Sequence, residues 1–196
     1  MEWIIALATG LGLATASGLN AYLPLLTIGI FARLGMIQLA EPFDLLSNVF
    51  VLLVIAVLAV LDFAGDKLPA VDSFFHAAGI VINPIAGAIL ALASQGDLAT
   101  VSPILVGAAG LLAAGSTHAA RASVRPVVTA ATGGTGNPII STIEDVTSLV
   151  LSILAILVPI FAVVLAIVLA FVAYRVFRRA AKIWRKKDDA VVNGKV

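Results

Sequence analysis

The sequence contains no cysteine, which excludes a disulfide scaffold, thiolate catalysis and cysteine-ligated metal. Charge is scarce: 12% of the 196 residues are Asp, Glu, Lys or Arg, against about 25% in a soluble domain. Hydrophobic residues reach 61% and the mean hydropathy is +1.13. Those values exclude a soluble domain, a disordered chain and a nucleic-acid-binding module. A basic leader is missing too. Met1-Glu2-Trp3 is acidic and runs straight into apolar sequence, which predicts a retained first span rather than a secretory signal. Neither Gly-x-Ser-x-Gly nor His-Glu-x-x-His occurs. Thr132-Gly133-Gly134-Thr135-Gly136 lacks the Lys-Ser/Thr of a P-loop. It is a flexible turn or a backbone anion nest.

Five apolar stretches are present, over residues 3–34, 45–61, 73–93, 101–120 and 146–174. About 20 residues span a bilayer, so the pattern predicts an all-α, polytopic transmembrane helical bundle of about five spans. The first stretch is interrupted by Ser17-Gly18-Leu19-Asn20 and Pro24, the third by Asn83-Pro84 and the fifth by Pro159. Residues 1–175 form the bundle and 176–196 a basic tail. Eight of the twelve Lys and Arg follow Ala173, which predicts a cytoplasmic C-terminus by the positive-inside rule and suits anionic lipid as well. Counting back from there, the polar segments 62–72 and 121–145 share the outer face. Segments 94–100 and 35–44 lie inside. The N-terminus lies outside if 3–34 crosses once, and inside if that stretch dips and re-enters. Gly12-Leu13-Ala14-Thr15-Ala16 aligns loosely with Gly110-Leu111-Leu112-Ala113-Ala114, which raises the possibility of an inverted repeat.

Three groups of residues are candidates for function. Small residues at Gly10, Ala14 and Gly18, and at Gly107 and Gly115, allow close helix approach and place the first and fourth stretches at the bundle centre. Asn20 and Asn83, each beside a proline-interrupted segment, are expected near the membrane midplane. They either glue helices or, with His118, line a solute or ion path. An ionic cluster comprises Asp62, Asp66, Lys67, Asp72, His76, Arg121, Arg125, Glu144 and Asp145. Charge at a membrane boundary pairs or lines a wet cavity, so this cluster is an ionic lock or a site for an ion, an anionic headgroup or a small solute.

Ser17-Gly18-Leu19-Asn20-Ala21-Tyr22-Leu23-Pro24, Asp66-Lys67-Leu68-Pro69-Ala70-Val71-Asp72 and Ser141-Thr142-Ile143-Glu144-Asp145 resemble a family of small bacterial integral membrane proteins described only as a domain of unknown function. The likeness covers residues 5–160. It implies a bacterial inner-membrane setting and draws attention to Asn20, Asp66, Lys67, Asp72, Glu144 and Asp145. It brings no activity with it.

The residues point first to a transporter or channel for a small solute or ion. Its multi-pass bundle would lie in the inner (plasma) membrane, with the lipid bilayer as partner, and five spans suggest a homo-oligomer. No cofactor, resident metal or nucleic acid is called for, and enzymatic chemistry is not the leading expectation. The alternatives are a membrane-embedded enzyme acting on a phosphate-bearing lipid and a non-catalytic assembly subunit. In the enzyme, Asp62, Asp66 and Asp72 would hold metal and Arg121 and Arg125 phosphate.

Overall fold

A computed structural model describes residues 2–65, 69–96, 101–168, 171, 175 and 178, with the backbone alone over 69–76. The regular structure among the described residues is helical. The α-helices are α1 (Glu2–Ser17), α2 (Tyr22–Arg33), α3 (Val49–Gly65), α4 (Pro69–Ala93), α5 (Pro103–Thr132), α6 (Asn137–Leu157) and α7 (Pro159–Val168), and a 3-10 turn covers Phe43–Ser47. Two of them, α5 and α6, are long and apolar enough to cross a membrane.

The first stretch is not one crossing helix. It breaks at residues 18–21, and α2 runs back beside α1. Gly10 lies against Ala91 near the end of α4, and Gly18 against Ala114 and His118 further along the bundle. Beyond α2, Ala40 N–H bonds the Ala93 carbonyl at 3.0 Å. Leu13 and Ile28, on opposite arms, meet in one core cluster with Leu90, Ala93, Ala155 and Ala162. Residues 2–33 are therefore a helical hairpin with its tip at Asn20. Pro24 does not break the chain there. It sits in the first turn of α2, where a missing N–H costs no helical bond.

The segment 121–145 corrects the expectation of a long polar loop. Helix α5 continues through Arg121, Arg125 and Pro126 to Thr132, and α6 begins at Asn137. Only a short turn separates them. Gly133 takes φ +60°, the left-handed conformation that closes many helices. The N–H groups of Gly133 and Gly134 bond Thr129 O, that of Thr135 bonds Thr132 O, and that of Gly136 bonds Thr132 Oγ1. Those donors are spent inside the turn, so an anion nest is not formed. The third stretch is not interrupted at Asn83-Pro84: α4 runs unbroken from Pro69 to Ala93 with Pro84 inside it. At Pro159, the remaining proline expected to interrupt a span, α6 stops at Leu157. Val158 leaves the helical region at φ −141° and ψ 67°, consistent with the bias of a residue before proline against the α conformation, and α7 starts at Pro159.

Helices α4 and α5 run antiparallel in close contact, and α1 touches both, together with α2 and α6. A Cβ on Gly87 would stand 2.7 Å from the Gly110 carbonyl oxygen, and one on Gly110 would collide with Gly87 backbone in turn. The polarity of the bundle is inverted relative to a water-soluble one. Asn20, Asn83, His118, Arg125, Glu144, Asp145 and Ser148 are buried, whereas Phe50, Leu53, Ile104, Leu112, Ile143 and Ile160 are exposed.

Candidate functional site

A break inside a packed bundle leaves backbone groups that must find partners. At the hairpin tip each comes from a different helix. Asn83 Nδ2, on α4, donates to Gly18 O at 3.2 Å. Arg121 Nη1, on α5, donates to Leu19 O. Ser148 Oγ, on α6, donates to Ala16 O at 2.9 Å and Asn20 O at 3.3 Å. Thus the Asn20 carbonyl, four residues before Pro24 with its missing N–H, receives the Ser148 hydroxyl.

Asn20 is the hub of this arrangement, 3% exposed. Its Oδ1 accepts the N–H groups of Tyr22 at 2.9 Å and Leu23 at 3.2 Å, capping α2. Its Nδ2 donates to Asp62 Oδ2 and Asp145 Oδ1, both at 2.9 Å. Two N–H groups on one side and two carboxylates on the other fix which way the amide points. Asp62 comes from near the end of α3, so three helices and the hairpin tip meet at one side chain.

The neighbouring Glu144 points elsewhere. Adjacent residues on a helix diverge by about 100°, and Glu144 faces α5 while Asp145 faces the tip. Glu144 Oε2 stands 2.7 Å from Arg121 Nε as an ion pair and accepts a hydrogen bond from Arg125 Nη2 at 3.1 Å. His118, one turn before Arg121, meets Asn83 Nδ2 at 3.0 Å through Nδ1. Because that amide nitrogen also faces the Gly18 carbonyl, it is the donor to both, and the imidazole carries its proton on Nε2.

The structure therefore joins what the sequence separated. The expected midplane pair and the expected ionic cluster form one contiguous network of Asn20, Asp62, Asn83, His118, Arg121, Arg125, Glu144 and Asp145. Arg121 and Arg125 converge on Glu144, and among the described residues no three His, Cys, Asp or Glu are grouped to hold a metal. Asp66 and Lys67, and the side chains of Asp72 and His76, lie outside the described residues. Sequence reasoning missed Ser148. Its signal was a polar stripe on α6, Ser141, Glu144, Asp145, Ser148 and Ser152, recurring at one-turn spacing.

A cavity of about 420 Å³ opens beside the hub. Its walls are Leu23 and Leu26 of α2, Ala56, Ala59, Val60 and Phe63 of α3, and Val146 and Leu149 of α6; Asn20 and Asp145 supply the polar groups in its lining. Asn83 and His118 are not among its lining residues.

A family model described as a domain of unknown function (DUF4126) matches residues 7–179. The chain belongs to that family, and the match extends beyond the residue 160 expected from the motifs. No curated protein and no solved structure gives a match.

Proposed function

We propose that this member of the family is a multi-pass membrane transporter or channel for a small solute or ion, with its path at the tip of the α1–α2 hairpin. One observation carries the reading: a helical hairpin ends inside the bundle, and its loose backbone ends are held by buried charged and polar side chains from three helices. Non-helical backbone at membrane depth is tolerated where protein or a polar cavity satisfies it. Buried ionisable groups there mark ion and solute pathways, and broken helices with their ends aimed at a site are a recurrent build of secondary transporters. The apolar exterior supports a bilayer setting, the bacterial inner membrane, with the basic C-terminal tail on the cytoplasmic side. A two-fold homo-oligomer suits so small a bundle.

The test uses purified protein in proteoliposomes. Proton flux is read with entrapped pyranine, and ²²Na⁺, ⁸⁶Rb⁺ and ³⁶Cl⁻ are followed as tracers. Asp145→Asn keeps the shape and still accepts from Asn20 while removing the charge. At least one probe should cross faster than in protein-free vesicles, and Asp145→Asn should slow it about tenfold. Fluxes equal to protein-free vesicles for all four probes, or unaltered by the substitution, overturn the reading.

A further inference from the structure

We infer that α3 is a gate: a peripheral helix that pivots on α2 and, by swinging outward, opens the hub around Asn20 from the side. This deepens the proposed function by naming the element that admits the solute or ion, and it rests on that reading for its role in passage. Two of the seventeen residues of α3, Ile55 and Gly65, are buried, against seven of the sixteen in α1. Between those two, every residue from Ala56 to Ala64 keeps part of its surface free. Elements with few buried contacts are the ones that move while the rest of a fold stays put. The outer face of α3 carries Leu53, Val57 and Leu61, all exposed. Lipid tails are as apolar as those side chains, so in the proposed bilayer setting a tilt of α3 exposes no surface that its surroundings reject.

Helices α2 and α3 form a V with its apex at Gly29. A Cβ there would stand 2.5 Å from the Leu46 carbonyl oxygen and 2.8 Å from Leu52 Cδ2, so the start of α3 lies directly on α2 backbone. The 3-10 turn before it is tied to the same helix, because Arg33 Nη1 donates to Ser47 O at 3.3 Å. Asn48, at φ −70° and ψ 133°, is the joint between that turn and α3. The V opens toward the hub. There the cleft of about 420 Å³ lies between Leu23 and Leu26 of α2 and Ala59 and Phe63 of α3, with Val146 and Leu149 of α6 along its side. The mouth is bridged at Asp62, whose Oδ2 accepts from Asn20 Nδ2 at 2.9 Å. Ten residues separate Leu52 from Asp62. That is about 15 Å of helix, so a tilt of about 20° at the apex carries Asp62 about 5 Å, out of hydrogen-bond reach of Asn20. The hub itself stays in place, because Asn20 keeps its bonds to Asp145, Tyr22 and Leu23. A hinged element moving about a fixed site is an established kind of transition, and the Asp62 side chain is its latch.

The sequence has no cysteine, so spin labels attach only where cysteines are introduced. One pair joins Leu61→Cys on α3 to Leu112→Cys on α5, both at exposed positions. Helix α5 does not touch α3 among the described residues, so outward movement lengthens this distance. The reference pair joins Ile5→Cys on α1, also exposed, to the same Leu112→Cys. Distances are read by double electron–electron resonance on the full chain in nanodiscs of zwitterionic lipid. The reference pair should give one distance. The α3 pair should give two, separated by about 5 Å, the displacement of a 15 Å arm through about 20°. Asp62→Ala removes every tie that this side chain makes and should at least double the share of the longer distance. Ala59→Phe, a wedge in the mouth of the V, should act in the same direction, with thermal melting confirming that both variants are folded. A single distance for the α3 pair in all three proteins, a second one that neither variant raises, or equal changes in the reference pair overturns the gate. Flux of any tracer with a single α3 distance removes the gate and leaves the transport reading standing. Two distances in a protein that passes no tracer support the gate and remove transport.

Discussion

At the scale of the residue, the tip of the hairpin depends on one side chain. Asn20 makes four hydrogen bonds, two to backbone N–H groups and two to carboxylates. Asn83 makes two, to a carbonyl and an imidazole. Hydrogen bonds to charged groups contribute about 1.5–3 kcal/mol each, and neutral ones about 0.5–1.5 kcal/mol. Asn20→Leu also leaves the half-buried Asp62 and the buried Asp145 without that donor. It should cost about 3 kcal/mol or more, and Asn83→Leu about 1–2 kcal/mol, read as chemical or thermal unfolding in detergent. The reverse order would remove Asn20 from the centre of the network. Both asparagines were legible in the sequence because an amide beside a proline in an apolar stretch needs a partner. What Asn20 holds was not legible. Its partners lie 42 and 125 residues away, and no local spacing encodes such a meeting.

At the scale of the element, hydropathy and periodicity gave different information about 118–145. A run with Arg121, Arg125, Thr132 and two adjacent glycines has the composition of a loop. Yet His118, Arg121 and Arg125 recur at three and four residues, as do Ser141, Glu144, Asp145 and Ser148. Those are one-turn spacings on two helices whose polar faces turn toward one another. Polar residues facing a protein interior lower the mean hydropathy of a helix just as loop residues do, so the composition concealed what the period revealed. The glycines divide along the same line. Gly110 sits where α5 crosses α4, and a Cβ there collides with Gly87 backbone and Ala91; Gly133 has φ +60° and nothing within 4 Å. Gly110→Ala should cost about 2–3 kcal/mol, because backbone cannot yield as a side chain can. Gly133→Ala should cost about 1 kcal/mol, the strain of a left-handed alanine. Melting temperatures of the two variants check this, and equal shifts would mean that the α4–α5 crossing does not limit stability.

At the scale of the whole molecule, the hairpin decides how many times the chain crosses in the membrane setting proposed above. The pairings Gly79–His118, Gly87–Gly110 and Gly107–Leu92 set α4 and α5 antiparallel, so the start of α4 and the turn at 133–136 lie at one end of the bundle. The turn after Ala93 lies at the other. Ala40, following α2, bonds Ala93, and Gly10, well before the tip, lies against Ala91, so both arms of the hairpin open toward the Ala93 end. Helix α1 has 16 residues, about 24 Å at 1.5 Å per residue, against a hydrocarbon core of about 30 Å. In the proposed membrane setting the tip would stop short of the opposite surface, within reach of Asp62 and Asp145. Helix α6 starts at the 133–136 end, and Ala155, near its far end, lies against Gly12 with Ala162 of α7 beside it, so α6 runs back from that end along α1. On the proposed placement of the basic tail at the cytoplasmic face, reporters fused ahead of Glu2, inserted after Gln38, inserted after Gln95 or placed after Val196 should all read cytoplasmic. One inserted between Gly134 and Thr135 should read extracytoplasmic. A single crossing by residues 3–34 would separate the reporter ahead of Glu2 from the one after Gln38. If those two read on opposite faces, the hairpin is lost, and with it the buried tip to which Asp62, Arg121 and Asp145 are joined.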